Sequence, residues 1–252
     1  MNSDSGMGDF AGNVNALLGI SPSGEQLHAF RTYEDLLLEW NRRINLTAIT
    51  GREDVRVKHF LDSLSCRKVL TPQPGIRIID IGTGAGFPGV PLKILYPDIR
   101  LTLVDSVGKK TDFCRRLVDR LGLENVTVIH ARAEEVGRDP EHRGAYQWAL
   151  ARAVADLSVL AEYLLPLVTV GGRILAQKGA GGPAEVRSAS KALNILGGAV
   201  EHVEPVDVPG IAETRHLIVI RKSAATPEQY PRRTGVPSKR PLSGKGHGRS
   251  KG

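Results

Sequence analysis

The residues best suited to chemistry on a ligand are Asp80-x-Gly82-x-Gly84-x-Gly86 and, further on, Asp105. The glycines follow Ile78-Ile79-Asp80-Ile81, a branched apolar run that reads as a buried strand, and Val90 to Ile94 behind them read as the start of a helix. A strand–helix turn crowded with glycine lets backbone pass close to a ligand and adopt torsions that a Cβ forbids. A second apolar strand, Leu101 to Val104, ends in Asp105, nineteen residues beyond Gly86. An acid at that place can accept hydrogen bonds from both hydroxyls of a ribose. The two features together describe a nucleoside pocket at the carboxyl ends of two parallel strands.

The spacing bears on which nucleoside. A dinucleotide fingerprint runs G-x-G-x-x-G, so that a pyrophosphate sits on the helix N-terminus. Here the loop is tighter and is preceded by Asp80, whose charge would face a phosphate in a confined site. The cationic ligand S-adenosylmethionine, with its sulfonium and amino group, suits it better. A dinucleotide and a tight turn without ligand are the alternatives.

Other candidates stand where an α/β sheet binds ligands. Ala131-Arg132-Ala133-Glu134-Glu135 follows the third predicted strand, where backbone and carboxylate can bond an adenine, or where acids simply complement a helix N-terminus. Arg152 ends the fourth, and a lone arginine in an apolar strand end needs a partner or an anion. Gln177-Lys178-Gly179 follows the fifth and either contacts RNA or caps the sheet edge. Asn45-Leu46-Thr47-Ala48-Ile49 and His59-Phe60-Leu61-Asp62-Ser63 can wall the pocket. His59 and Asp62, three apart on one helix face, are placed to bond each other. A structural role for that histidine is the simpler reading. No Ser/His/Asp set, paired carboxylates or zinc-type cysteine spacing stands out, and no metal is expected.

The elements that must position these residues alternate regularly. Strands are predicted at 77–81, 101–105, 126–130, 148–153 and 173–177, with helices between them, which implies an α/β, doubly wound, mostly parallel sheet over residues 73–222. Strands at 200–208 and 216–221, joined through Pro209-Gly210, read as a closing hairpin that adds an antiparallel strand at one edge. In front lie a stripe of Leu27, Phe30, Tyr33, Leu37, Trp40 and Ile44 and a second helix over 53–70, a helical cap spanning residues 24–72. Residues 1–23 read as a flexible N-terminus.

The chain has 252 residues and a net charge of +7. From Arg221 onward nine lysines and arginines face one acid, Glu228, a balance of +8 that exceeds the total and leaves the body nearly neutral. Rich in proline, glycine and serine, residues 223–252 read as a flexible basic tail of the kind that meets polyanions. No apolar run is long enough to span a bilayer, and Met1 to Asp9 do not resemble a secretory leader. Cys66 and Cys114 read as reduced thiols in or near the core. A cytoplasmic protein without a membrane partner is expected, and nothing in the sequence demands a dimer.

These residues resemble the bacterial RsmG (GidB) methyltransferases. The resemblance rests on Asn45-Leu46-Thr47, His59-x-Leu61-Asp62-Ser63, Asp80-x-Gly82-Thr83-Gly84-x-Gly86-x-Pro88-Gly89-x-Pro91-Leu92, Asp105-Ser106-x-x-Lys109-Lys110, Arg152-Ala153, Lys178-Gly179 and the run from Tyr230 to Leu242. It covers residues 25 to 242, and the Gly-Phe-Pro-Gly extension of the loop is much more specific than the glycines alone. It implies a class I (Rossmann-like) methyltransferase fold and methylation of N7 of one guanosine in 16S ribosomal RNA of the small subunit, with S-adenosylmethionine as methyl donor. It carries cofactor contacts onto Gly82, Phe87, Ala133, Glu134 and Arg152. The glycine-loop and ribose arguments add Gly84, Gly86 and Asp105. The family often has an arginine in the basic pair that stands here as Lys109-Lys110, which keeps the charge.

The missing acid/base set agrees with that chemistry. Guanine N7 is an acceptor lone pair with no proton to remove, so no catalytic base is expected and positioning carries the rate. Rival readings are a methyltransferase of small molecules, disfavoured by the basic tail, an RNA-binding factor with a relic pocket, and a nicotinamide dehydrogenase, disfavoured by the glycine spacing. A phosphate-binding tail further implies that deleting residues 223–252 weakens RNA binding and flattens its salt dependence, with cofactor binding nearly unchanged.

Overall fold

The structure, a computed structural model, describes residues 5–242. Seven strands form one sheet in the order β3-β2-β1-β4-β5-β7-β6. They are β1 (Arg77–Ile81), β2 (Arg100–Asp105), β3 (Val126–His130), β4 (Tyr146–Arg152), β5 (Val168–Lys178), β6 (Gly198–Val206) and β7 (Arg215–Lys222). The first five run parallel, and β7 is antiparallel to both its neighbours. The expected hairpin forms at that edge of the sheet, with β7 antiparallel between β5 and the edge strand β6.

Chain order reverses between β1 and β4. The crevice beyond the carboxyl ends of those strands is where open α/β sheets bind ligands. Alternate residues of β1 feed opposite faces: Ile78 joins the core beneath the N-terminal helices, Ile79 and Ile81 the core on the other side. Burial on both faces explains why these strands read as near-continuous apolar runs.

The N-terminal cap is built around five aromatic rings. Phe10, Phe30 and Phe60 meet edge-on or tilted, Tyr33 stacks on Phe87 of the glycine loop at 5.3 Å, and Trp40 meets Phe113. The helix Gly24–Ile44 starts at a capping box, with Ser23 Oγ accepting from the Gln26 N–H and the Gln26 side chain accepting from the Ser23 N–H. It ends at Asn45, in the left-handed conformation with φ 48°. The second cap helix, over residues 52–68, contains one π-helical turn, Arg56–Leu61, directly before Asp62.

Two expectations of flexibility are corrected. Residues 5–18 form a helix that buries Met7, Phe10, Val14 and Leu17 in the core, an apolar stripe of three- and four-residue steps diluted by glycine, asparagine and aspartate between them. Residues 223–242 fold back onto the body and bury Thr226, Tyr230, Pro231 and Pro237. Arg143 donates to the carbonyls of Thr226, Pro227 and Tyr230, and Arg138 to that of Pro231. Arg232 forms a two-pronged pair with the fully buried Glu162, at 2.8 and 2.6 Å. Residues 1–4 and 243–252, the remainder of those two expectations, lie outside the described residues. Among the described residues no helix is long and apolar enough to cross a membrane.

Candidate cofactor site

The glycine loop is pinned from beneath. Gly82 and Thr83 N–H groups donate to the Val104 carbonyl of β2, and Asp80 Oδ2 accepts from the Thr83 hydroxyl at 2.8 Å and the Gly89 N–H at 2.9 Å. Asp80 thus ties the start of the loop to the helix that follows, and it does not line the cavity above. Burial pushes its carboxyl up to about 7, against the opposing pull of those two hydrogen bonds, and its Oδ1 has no partner among the described residues. The folded protein therefore holds this proton where the unfolded chain has lost it. Ionising Asp80 costs stability progressively from about pH 4 to 7, and no more beyond. Asp80→Asn cannot ionise, so its stability relative to the parent should rise as pH goes from 4.5 to 7.5. Urea unfolding at both pH values reads this, and parallel pH dependences would contradict it.

Over the loop lies a cavity of about 520 Å³. Its walls include Gly82, Asp105, Ala133 and Glu134, which the sequence placed in the site, together with Lys110 and Arg132. Gly82 (φ +68°) must be glycine for two reasons: the torsion, and an added Cβ that would lie 2.5 Å from Val154 Cγ2. Asp105 is held for work at the cavity: Oδ2 accepts from the Gly84 N–H and Oδ1 from the Val107 N–H, both at 2.9 Å. One lone pair on each oxygen remains for a ligand, and the pair spans what two adjacent ribose hydroxyls need. An aimed carboxylate, bare backbone at Gly82 and the mixed walls at Ala133 and Glu134 fit the adenosine half of S-adenosylmethionine.

The remaining expected contacts are placed differently. Gly84 touches the site through its bond to Asp105, whereas Gly86 (φ +96°) packs inward, where a Cβ would meet the Tyr33 hydroxyl at 2.7 Å. Phe87 is buried between Tyr33 and His59, with the Arg152 guanidinium 4.9 Å above its ring. Arg152 lines a neighbouring cavity of about 340 Å³ with Lys58, His59, Asp62, Lys178 and Arg215. The two cavities meet at Ala153, a non-glycine residue with φ 54°.

Arg152 is fixed from three sides, donating to Asp62 Oδ2 at 2.8 Å, to the Lys58 carbonyl and to His59 Nδ1 at 3.2 Å. Asp62 also holds Arg215 at 3.0 Å. The expected His59–Asp62 bond is thus replaced by an arginine between them. With Nδ1 accepting, His59 carries its proton on Nε2 and donates to Thr47 Oγ1 at 2.8 Å. Burial and the neighbouring Arg152 lower its pKa to about 3, so the ring is neutral at any working pH. Gln177 is buried and donates to the Asp62 carbonyl, a structural task, while Lys178 pairs with Glu185. Cys66 and Cys114 are buried and free, and burial pushes both thiols up.

Residues 26–218 match the family GidB, rRNA small subunit methyltransferase G. A curated relative from Pelotomaculum thermopropionicum, named ribosomal RNA small subunit methyltransferase G, is 51% identical over 89% of this chain and 94% of its own. One of the same name from Roseiflexus castenholzii is 51% identical over 89% and 95%.

This chain belongs to that family.

Solved structures give the fold. TrmN from Thermus thermophilus is 20% identical with a TM-score of 0.50, over 72% of this chain and 53% of its own. Precorrin-6y C5,15-methyltransferase from Geobacter metallireducens is 17% identical with a TM-score of 0.50, over 64% and 88%. The sheet is that of a class I methyltransferase.

The sequence missed one wall of the family's cavity. Thr234, Gly235 and Ser238, from the segment expected to be a free tail, line it, and Glu134 Oε1 accepts from the Gly235 N–H at 2.8 Å. Tyr163 and Val154 complete that side. The available signal was Glu162, an acid in the apolar run Leu157–Leu164 that had to have a partner somewhere. The expectation that deleting residues 223–252 spares cofactor binding is therefore reversed. The deletion should weaken S-adenosylmethionine binding about tenfold or more by calorimetry, because it removes a wall and bares Glu162. An unchanged affinity would contradict this assignment.

Proposed function

We propose that this chain transfers the methyl group of S-adenosylmethionine to N7 of a guanosine in the 16S RNA of the small ribosomal subunit. The observation that carries the reading is membership of the rRNA small subunit methyltransferase G family over nearly the whole chain. When bound, S-adenosylmethionine supplies an electrophilic methyl on a sulfonium centre. Asp105 takes the ribose hydroxyls, backbone at Gly82 lies against the ligand, and Ala133 and Glu134 border the adenine.

N7 presents a lone pair and no proton, so the acceptor needs placement rather than a base. The neighbouring cavity is consistent with that division of labour. His59 is neutral with its proton committed to Thr47, and Asp62 is committed to two arginines. Neither is free to shuttle protons. Arg152 keeps its Nε–H and one Nη2 hydrogen unpartnered among the described residues, and these can meet an acceptor atom of the base or a phosphate. The ribosomal substrate supports a cytoplasmic location, and nothing in the sequence demands more than a monomer.

Arg152→Ala tests the placement role. Turnover on small subunits should fall on the order of 100-fold, and the pH profile should keep its shape because no proton transfer is removed. Wild-type turnover together with wild-type cofactor affinity would sink the role. Transfer to free guanosine as fast as to subunits would sink the RNA reading.

A further inference from the structure

The two cavities differ in how their cations are neutralised. Around the Arg152 cavity every lysine and arginine faces a carboxylate: Lys58 pairs with Asp54, Arg152 and Arg215 with Asp62, and Lys178 with Glu185. At the mouth of the cofactor cavity the pattern reverses. Lys110 and Arg132 line the opening, Lys109 stands beside Lys110, and Arg233, Lys239 and Arg240 flank the wall residues Thr234, Gly235 and Ser238. Among the described residues none of these six has an ion-pair partner, and all but the half-buried Lys110 are exposed. Glu135 is the exposed acid among them, and it accepts from the Arg132 backbone N–H.

Unpaired cations on and beside the cavity walls match a run of phosphates, whose binding releases counterions. Three of the six sit on the segment that closes the cofactor cavity. That segment is anchored at Arg232–Glu162 and Gly235–Glu134; Arg233 and Thr234 between these anchors are exposed, as are Ser238, Lys239 and Arg240 beyond them. We propose that the C-terminal segment couples the two substrates: RNA phosphates on Arg233, Lys239 and Arg240 hold Thr234, Gly235 and Ser238 in place as the cofactor wall, so each ligand tightens the other. The proposal rests on the RNA-methyltransferase reading and adds to it an energetic link. Linkage makes the effect reciprocal, with one factor describing both directions.

The test uses the full chain, small subunits from cells lacking this protein, and S-adenosylhomocysteine, which binds without transferring a methyl group. Its affinity should rise about tenfold when subunits are bound, and subunit affinity should rise by the same factor when it is bound. In Arg233→Ser/Lys239→Ser/Arg240→Ser the ratio with and without subunits should fall toward one. Because each ratio is internal to one protein, a change in basal affinity does not enter. A ratio of one in the parent, with subunits bound and methylated in parallel assays, overturns the coupling and leaves the function standing. An equal ratio in parent and variant overturns its assignment to this segment. Failure to methylate subunits at all overturns the function reading, and the coupling with it.

Discussion

Gly82→Ala is expected to lower S-adenosylmethionine affinity on the order of 100-fold while the protein stays folded. Two costs coincide at this position. A Cβ at φ +68° costs roughly 1–2 kcal/mol in backbone strain. The same Cβ would lie 2.5 Å from Val154 Cγ2, and Val154 lines the cavity, so relief of the clash pushes a side chain toward the space the ligand needs. Gly84→Ala is the control, because Gly84 has φ +61° but open space where its Cβ would go. It should pay the torsional cost alone, and its affinity loss should be clearly smaller. Calorimetric titration of both variants, with unfolding curves to establish that they fold, separates the two effects. Equal losses would mean that strain alone sets the effect and that the Val154 contact is incidental.

Asp105→Asn is expected to weaken cofactor binding by a similar factor. The substitution keeps shape but turns one oxygen into an N–H₂ donor. Both oxygens already accept backbone N–H groups, from Gly84 and Val107, so either orientation of the amide sets donor against donor. A buried donor left unpaired costs about 1–3 kcal/mol, and the charge-assisted bonds to ribose are lost as well. Both losses should appear in affinity, and the first also in stability. Adenosine as a competing ligand isolates the ribose contribution: the variant should lose affinity for adenosine in nearly the same proportion. An affinity near that of the parent would move the ribose away from Asp105.

The fold was legible wherever local pattern and tertiary role agree. β1 spans the residues expected of it because a strand buried on both faces reads as a near-continuous apolar run, and β3, a half-exposed edge strand, does so through its β-branched residues Val126 to Ile129. The glycine loop was legible because torsion and clearance leave few residue types at Gly82 and Gly86. What escaped the sequence is long-range pairing. Composition described residues 223–242 as a solvated tail, yet a few of them, Arg232 for Glu162 and Gly235 for Glu134, tie that segment across the cofactor cavity at separations of 70 and 101 residues. Arg152 was recognised as needing a partner, but that the partner would be Asp62, with His59 and Phe87 packed around it, follows only from the cap meeting the sheet. The helix over residues 5–18 was hidden because its four core residues are spaced among glycines and polar residues that read as flexible.

The central claim is that the cavity above Gly82 and Asp105 delivers a methyl group to a guanosine of the small subunit. The most direct measurement is transfer of labelled methyl from S-adenosylmethionine to small subunits from cells lacking this protein, with the RNA digested and the modified nucleoside identified by mass spectrometry. The account predicts one 7-methylguanosine in the 16S RNA, absent when Asp105→Asn protein is used at the same cofactor concentration. Label at another atom or nucleoside, or undiminished transfer by the Asp105 variant, would contradict it.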